Sequence, residues 1–187
     1  MDTSGSYAEE LGTAQRVVDY LLGILRPGDA IAVANVGSRS FSGEQIVARA
    51  VLDSRPSSAN RQKLDVARQV EDYLAGVEPS RYTDITGGLI QAVEYLREAG
   101  AARKTVYIVS DLEEDLDPET VRDLDLNLAG IRVVAVHVAK LPVDNRDPSR
   151  YLVRLQRWRE RLTAAGAAEW RVVNELENLQ RTLPERG

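Results

Sequence analysis

"KTVYIVSD", residues 104–111, is a run of β-branched and aromatic residues that closes on a serine and an aspartate. A run this continuously apolar offers no face to solvent, so it predicts a strand covered on both sides, as in parallel sheets. Working outward, "AIAVANVG" (30–37) and "IRVVAVHVA" (131–139) read the same way, and "EWRVVN" (169–174) gives a shorter strand. "QIVARAVLD" (45–53) is weaker, because Arg49 and its small residues suit a sheet edge.

Between these strands the apolar period lengthens to that of a helix. Ala14, Val17, Val18, Leu21, Leu22 and Leu25 fall three and four apart and predict a helix stopped by Pro27-Gly28. A serine-rich turn at 54–60 leads into a helix carrying Leu64, Ala67, Val70 and Leu74. After "PSRYTDITGG" (79–88) another helix carries Leu89, Val93 and Leu96. Asp117-Pro118 and Asp147-Pro148 each read as an N-cap followed by proline at the first helical position. They predict one helix with Val121, Leu124 and Leu128 inside and one with Leu152, Leu155, Trp158 and Leu162 inside. A last helix is expected to end near Leu183. Strands alternating with helices predict one doubly wound α/β domain over 1–187, its mainly parallel sheet flanked by helices on both faces.

Composition narrows the function. At 187 residues and 43% hydrophobic the chain fills one ordinary domain with a full core. A net charge of −5 argues against nucleic acid as a partner, since such proteins carry a basic footprint. No cysteine is present, which excludes disulfides, thiolate metal sites and cysteine nucleophiles. No apolar run reaches the roughly 18 residues a membrane-spanning helix needs. Lone His137 falls inside a strand and reads as structural, since a catalytic histidine needs a partner. Arg150, Arg154, Arg157, Arg159 and Arg161 are expected to coat the outer face of their helix. Among the acidic residues at 111–119, all but Asp111 read as a solvated face.

In open α/β sheets, ligands bind outside the carboxyl ends of the strands. Asp111 ends the strand 104–110, Thr83 and Asp84 immediately precede a helix, and Asp2, Ser4 and Ser6 precede the first helix. These clusters are expected at one end of the sheet. Their donors are carboxylate and hydroxyl oxygens, the set a hard cation such as Mg2+ accepts.

In these motifs and in element order, essentially the whole chain resembles a von Willebrand factor type A domain. "DTSGS" (2–6) resembles the D-x-S-x-S of that family's metal-ion-dependent adhesion site. "TDITGGL" (83–89) resembles its threonine loop, and "YIVSD" (107–111) its distant aspartate. D-x-S-x-S alone arises by chance at about one position in several thousand; the three motifs in order are far more specific. The resemblance implies Asp2, Ser4, Ser6, Thr83 and Asp111 as ligands of a divalent cation. Mg2+ is the first choice, with Mn2+ or Ca2+ as alternatives. It also implies carboxylates acting mainly through water and a vacant position that takes an Asp or Glu from a protein partner. That is cation-dependent protein binding for adhesion or complex assembly, with no enzymatic step.

Thr83 is preferred over Thr86 as the ligand, and Asp84 is expected to cap the helix or support the site. One rival reading is a metal-free scaffold of the same fold, with Ser4 and Ser6 as loop and capping residues. Another is a Mg-dependent hydrolase, because an Asp opening a doubly wound sheet resembles the haloacid dehalogenase-like phosphatases. Those carry a second Asp two residues later, where this chain has Ser4. No histidine or cysteine supplies another nucleophilic system.

One expectation concerns the strand before "DTSGS". In a sheet of this kind it is central and supplies about five or six apolar residues, of which this chain holds Met1. The fold is therefore expected to lack its first central strand and to be truncated at its N-terminus. An upstream segment could carry a leader or anchor, which leaves localisation open. Residues 1–187 alone are expected to be insoluble, strand-exchanged or molten.

Overall fold

The computed structural model describes residues 1–5, 7, 10–37, 46–118, 125–176 and 178–179. In chain order it places α1 (Leu11–Ile24), β1 (Ala30–Ala34), β2 (Ile46–Val51), α2 (Pro56–Gly76), α3 (Ile85–Glu98) and β3 (Lys104–Val109). There follow β4 (Ile131–Val136), α4 (Pro142–Arg146), α5 (Pro148–Ala164) and β5 (Glu169–Val173).

The strands form two ladders. β3, β4 and β5 make a parallel sheet with β4 central, Lys104 facing Ile131 and Arg132 facing Glu169. β1 and β2 form an antiparallel pair, Ala30 facing Val51. The connection from Ala34 to Ile46 is too short for a crossover helix, so β2 must return antiparallel. The mainly parallel sheet expected from the strand patterns thus holds for three strands.

Met1 and Asp2 join the ladders. The Met1 amine donates to the Ala34 carbonyl at 2.8 Å. The Val36 amide donates to the Met1 carbonyl, and the Asp2 amide to Val109 at the end of β3, both at 2.8 Å. Two residues therefore take ladder partners from both sides.

Side-chain alternation along β4 explains how helices cover both faces. Val134 and Val136 pack in one cluster with Val17 and Leu22 of α1 and Val66 and Val70 of α2. Ile131, Val133 and Ala135 pack in a second with Ile85, Leu89 and Val93 of α3 and Trp158 and Leu162 of α5. A period of two on the strand meets a period near 3.6 on each helix.

Several local expectations are corrected. α2 begins at Pro56, inside the serine-rich segment, because proline at the first turn gives up an amide that has no intrahelical partner anyway. Its inner face is Ala59, Val66 and Val70, while Leu64 is 65% exposed. In α5, Leu152 is 64% exposed and Arg154 turns inward, beside Trp158 and Leu162. Arg154 is accommodated by buried Asp144 of the short α4, a helix the sequence patterns did not suggest, at 2.7 Å. The Asp147 cap forms as expected, accepting from the Ser149 amide at 3.1 Å. The helix expected after Asp117-Pro118 falls largely on 119–124, outside the described residues. Leu128 is nonetheless fully buried, its amide donating to Ala165. The last helix expected also lies largely outside the described residues.

Candidate functional site

Three segments converge beyond the carboxyl end of β3. The first is 2–5, where Asp2 is fully buried and Ser4 is 5% exposed. Asp2 Oδ1 accepts the Ser4 amide at 2.8 Å, which turns the chain immediately after the bridge to Val109. Asp2 Oδ2 accepts the Ser110 hydroxyl at 2.5 Å.

The second segment, 80–88, lies against the first. Ser80 donates its amide to the Thr3 carbonyl at 2.8 Å and accepts the Gly5 amide at 3.3 Å. Thr83 and Asp84 are buried, and Asp84 is the N-cap of α3, accepting the Gly87 amide at 2.7 Å. A Cβ on Gly87 would lie 2.3 Å from Asp84 Oδ2. Glycine there is what allows the carboxylate to close over the first turn.

The third segment is 110–115. Asp111 is fully buried, and its Oδ1 accepts the Glu113 amide at 2.8 Å. Ser110 Oγ accepts the Leu112 amide at 3.0 Å while donating to Asp2. Leu112 has a φ of 62°, in the left-handed region that a leucine rarely adopts. Thr83 and Asp115 exchange backbone hydrogen bonds at 2.7 and 3.1 Å, tying this segment to the second.

α5 grips the same loop. The Trp158 indole donates to the Leu112 carbonyl at 2.9 Å. Arg161 reaches Glu114 at 2.7 Å and Arg154 lies 3.6 Å from Glu113. Glu114 also accepts the Thr86 amide at 2.7 Å. Burial alone would push the Glu114 carboxyl up, but the bonds from Thr86 and Arg161 outweigh it and hold it below the usual range. The acidic run after Asp111 is therefore partly an ion-paired anchor, met by two α5 arginines, buried Arg154 and exposed Arg161. Acidic and basic periodicity in sequence gave no signal of this pairing across 47 residues.

Nearby, the buried Tyr7 hydroxyl donates to the His137 carbonyl at 3.1 Å. Burial, then the charges of Glu10, Asp2 and Asp111, push its ionisation well above the usual tyrosine range. His137 follows β4 at φ 51°, its Nε2 2.9 Å from Glu10. The sequence pattern puts this histidine inside a strand and without a partner; the structure corrects both points, since it stands just past β4 and pairs with Glu10.

Of the sequence-derived ligands, the structure brings the segments of Asp2, Ser4, Thr83 and Asp111 together; Ser6 lies outside the described residues. The donors fit a hard cation in kind. Two fully buried carboxyl groups and neutral hydroxyls on the same loops offer oxygen donors. Among the described residues no cluster of three or more carboxylate, imidazole or thiolate side chains could hold a metal, so such a site would depend on those hydroxyls. An open groove of about 840 Å3 between α5 and β5, lined by Leu152, Gln156, Arg157 and Trp170 among others, involves none of these loops.

Neither a family model nor a curated protein matches the chain. Among solved structures it is similar to an uncharacterized membrane-spanning protein from Vibrio fischeri, at 17% identity and a TM-score of 0.39. The alignment covers 97% of this chain and 91% of that one. In the present chain, no described helix is long and apolar enough to cross a membrane. A functional reading rests on the residues themselves.

Proposed function

We propose that this chain is a von Willebrand type A-like domain that binds protein partners through a divalent cation. Asp2, Ser4, Ser6, Thr83 and Asp111 are its ligand set. The observation that carries the reading is the hydrogen bond between Asp2 and Ser110, which places one buried carboxylate beside the residue preceding the other. When bound, Mg2+ would supply an electrophilic centre that attracts an Asp or Glu side chain of the partner. Asp2 and Asp111 offset its charge, and the hydroxyls add donors without adding charge. No bond is made or broken, so the function is recognition.

A second reading has its own support. Both Asp2 oxygens already accept hydrogen bonds from within the chain, as they would in a metal-free scaffold whose aspartates only organise loops. Calorimetric titration with Mg2+ separates the two. The cation reading expects saturable binding that Asp111→Ala abolishes, and partner capture that chelator prevents and Mg2+ or Mn2+ restores. Capture unaffected by chelator would favour the scaffold.

A finer reading of the fold accompanies this one. Val33, Val36, Ile108 and Val109 are buried around Met1 and Asp2, whereas Ile31, Ala32, Thr105, Val106 and Tyr107 stay half-buried. We infer that the slot between these half-buried stretches takes an apolar strand, parallel to β3 and leading into Met1.

A further inference from the structure

We propose that α5 sets the geometry of the cation site from outside it, with Trp158 as the positioning residue; this rests on the cation reading above. Asp111 is aimed by a tight turn. The Glu113 amide folds back onto its carboxylate and the Leu112 amide onto Ser110. Between those two bonds stands Leu112 in the left-handed conformation, and its carbonyl is the atom that Trp158 holds. A leucine has no intrinsic preference for that conformation, so something outside the turn must favour it. The indole N–H is a buried donor that reaches the one carbonyl whose direction reports the Leu112 conformation.

The remaining contacts act in the same sense. Arg161 stacks over the Trp158 ring at 5.2 Å and pairs with Glu114, whose carboxylate also receives the Thr86 amide of α3. α5 thereby fixes the Asp111 segment relative to the threonine segment as well as its internal turn. A site with few protein ligands and near-ideal octahedral demands is sensitive to such positioning.

The test is Trp158→Phe, which keeps the ring in the core and removes the donor. Mg2+ affinity measured by calorimetry should fall about five- to tenfold, as loss of one buried hydrogen bond predicts. Hydrogen exchange at the Glu113 amide should quicken at the same time. Leu155→Ala, on the same helix and half-buried against the same cluster but with no polar group to offer the loop, is the control. It should lower the metal-free thermal midpoint at least as much while keeping wild-type affinity. Unchanged affinity in Trp158→Phe beside a wild type that binds Mg2+ would overturn the inference alone. So would an equal loss of affinity in Leu155→Ala. A wild-type chain that takes up no Mg2+ overturns the cation reading, and the inference falls with it.

Discussion

Ser110 donates its hydroxyl to Asp2 Oδ2 at 2.5 Å, across 108 residues of chain, while its oxygen accepts the Leu112 amide. One small side chain therefore holds the loop after the central bridge to the loop after β3. Both partners are buried, so neither can substitute water for the bond.

Ser110→Ala should destabilise the fold by about 1.5–3 kcal/mol, since a hydrogen bond to a buried carboxylate is lost and an amide loses its acceptor. Urea unfolding of wild type and variant measures this. A difference below about 0.5 kcal/mol, the usual scatter of surface substitutions, would mean the two loops are held by other contacts.

Gly87→Ala should also destabilise, although alanine is the better helix former. Its Cβ would meet the Asp84 carboxylate that caps α3, so the cap must open, at about 0.5–2 kcal/mol. Asp84→Ala should cost a similar amount by removing the cap directly. If the double variant loses the sum of the two single losses, the clash is not with the cap.

Asp144 and Arg154 predict an acid dependence. The Arg154 hydrogen bonds hold the Asp144 carboxyl below its usual range, against the opposing effect of burial. A depressed folded value means the stability is present above the unfolded pKa of about 3.9 and lost as pH falls through the folded value. Asp144→Asn should flatten that acid limb and, by leaving buried Arg154 only the longer contact to Glu113, cost up to about 3–5 kcal/mol near neutrality. An unchanged acid limb in the variant would refute the assignment.

The slot between β1 and β3 makes a prediction at neutral pH. Burial lowers the Met1 amine from 8.0 to about 6, opposed by Asp2. The fold then favours the uncharged amine, so the unfolded chain binds more protons between those values and stability rises with pH across the window. The change is on the order of 2–3 kcal/mol. A Gly-Ser extension on Met1 should abolish this slope by converting the amine to an amide. An extension of six apolar, β-branched residues should abolish it and also raise the urea midpoint. Equal midpoints for the two extensions would show that no strand enters the slot.

The sequence was most informative where a signal is local. Strand 104–109 and helix 148–164 follow from continuous apolarity and from an Asp-Pro cap, both of which act within a few residues. The ligand candidates were legible as three short motifs, and their segments do meet. β2 was readable as an edge, but its direction follows from the length of the connection as much as from its residues.

Leu152 and Arg154 show the limit of such reading. A helical wheel places leucine inside and arginine outside, because transfer from water favours one and penalises the other. Arg154 is inside because Asp144, ten residues earlier, meets its guanidinium at 2.7 Å. That compensation exists only once α4 and α5 are folded together.

What the amino-acid order determined by itself was the alternation of strands and helices, the caps, and which oxygens could gather. Each depends on backbone preference and hydrophobic period over a turn or two. What only the tertiary structure decided was the bridge of Met1 and Asp2 between two ladders, the left-handed turn at Leu112, and the grip of Trp158 and Arg161 on the Asp111 loop. Those contacts join residues tens to more than a hundred positions apart, and their energy appears only when burial has removed water as the competing partner.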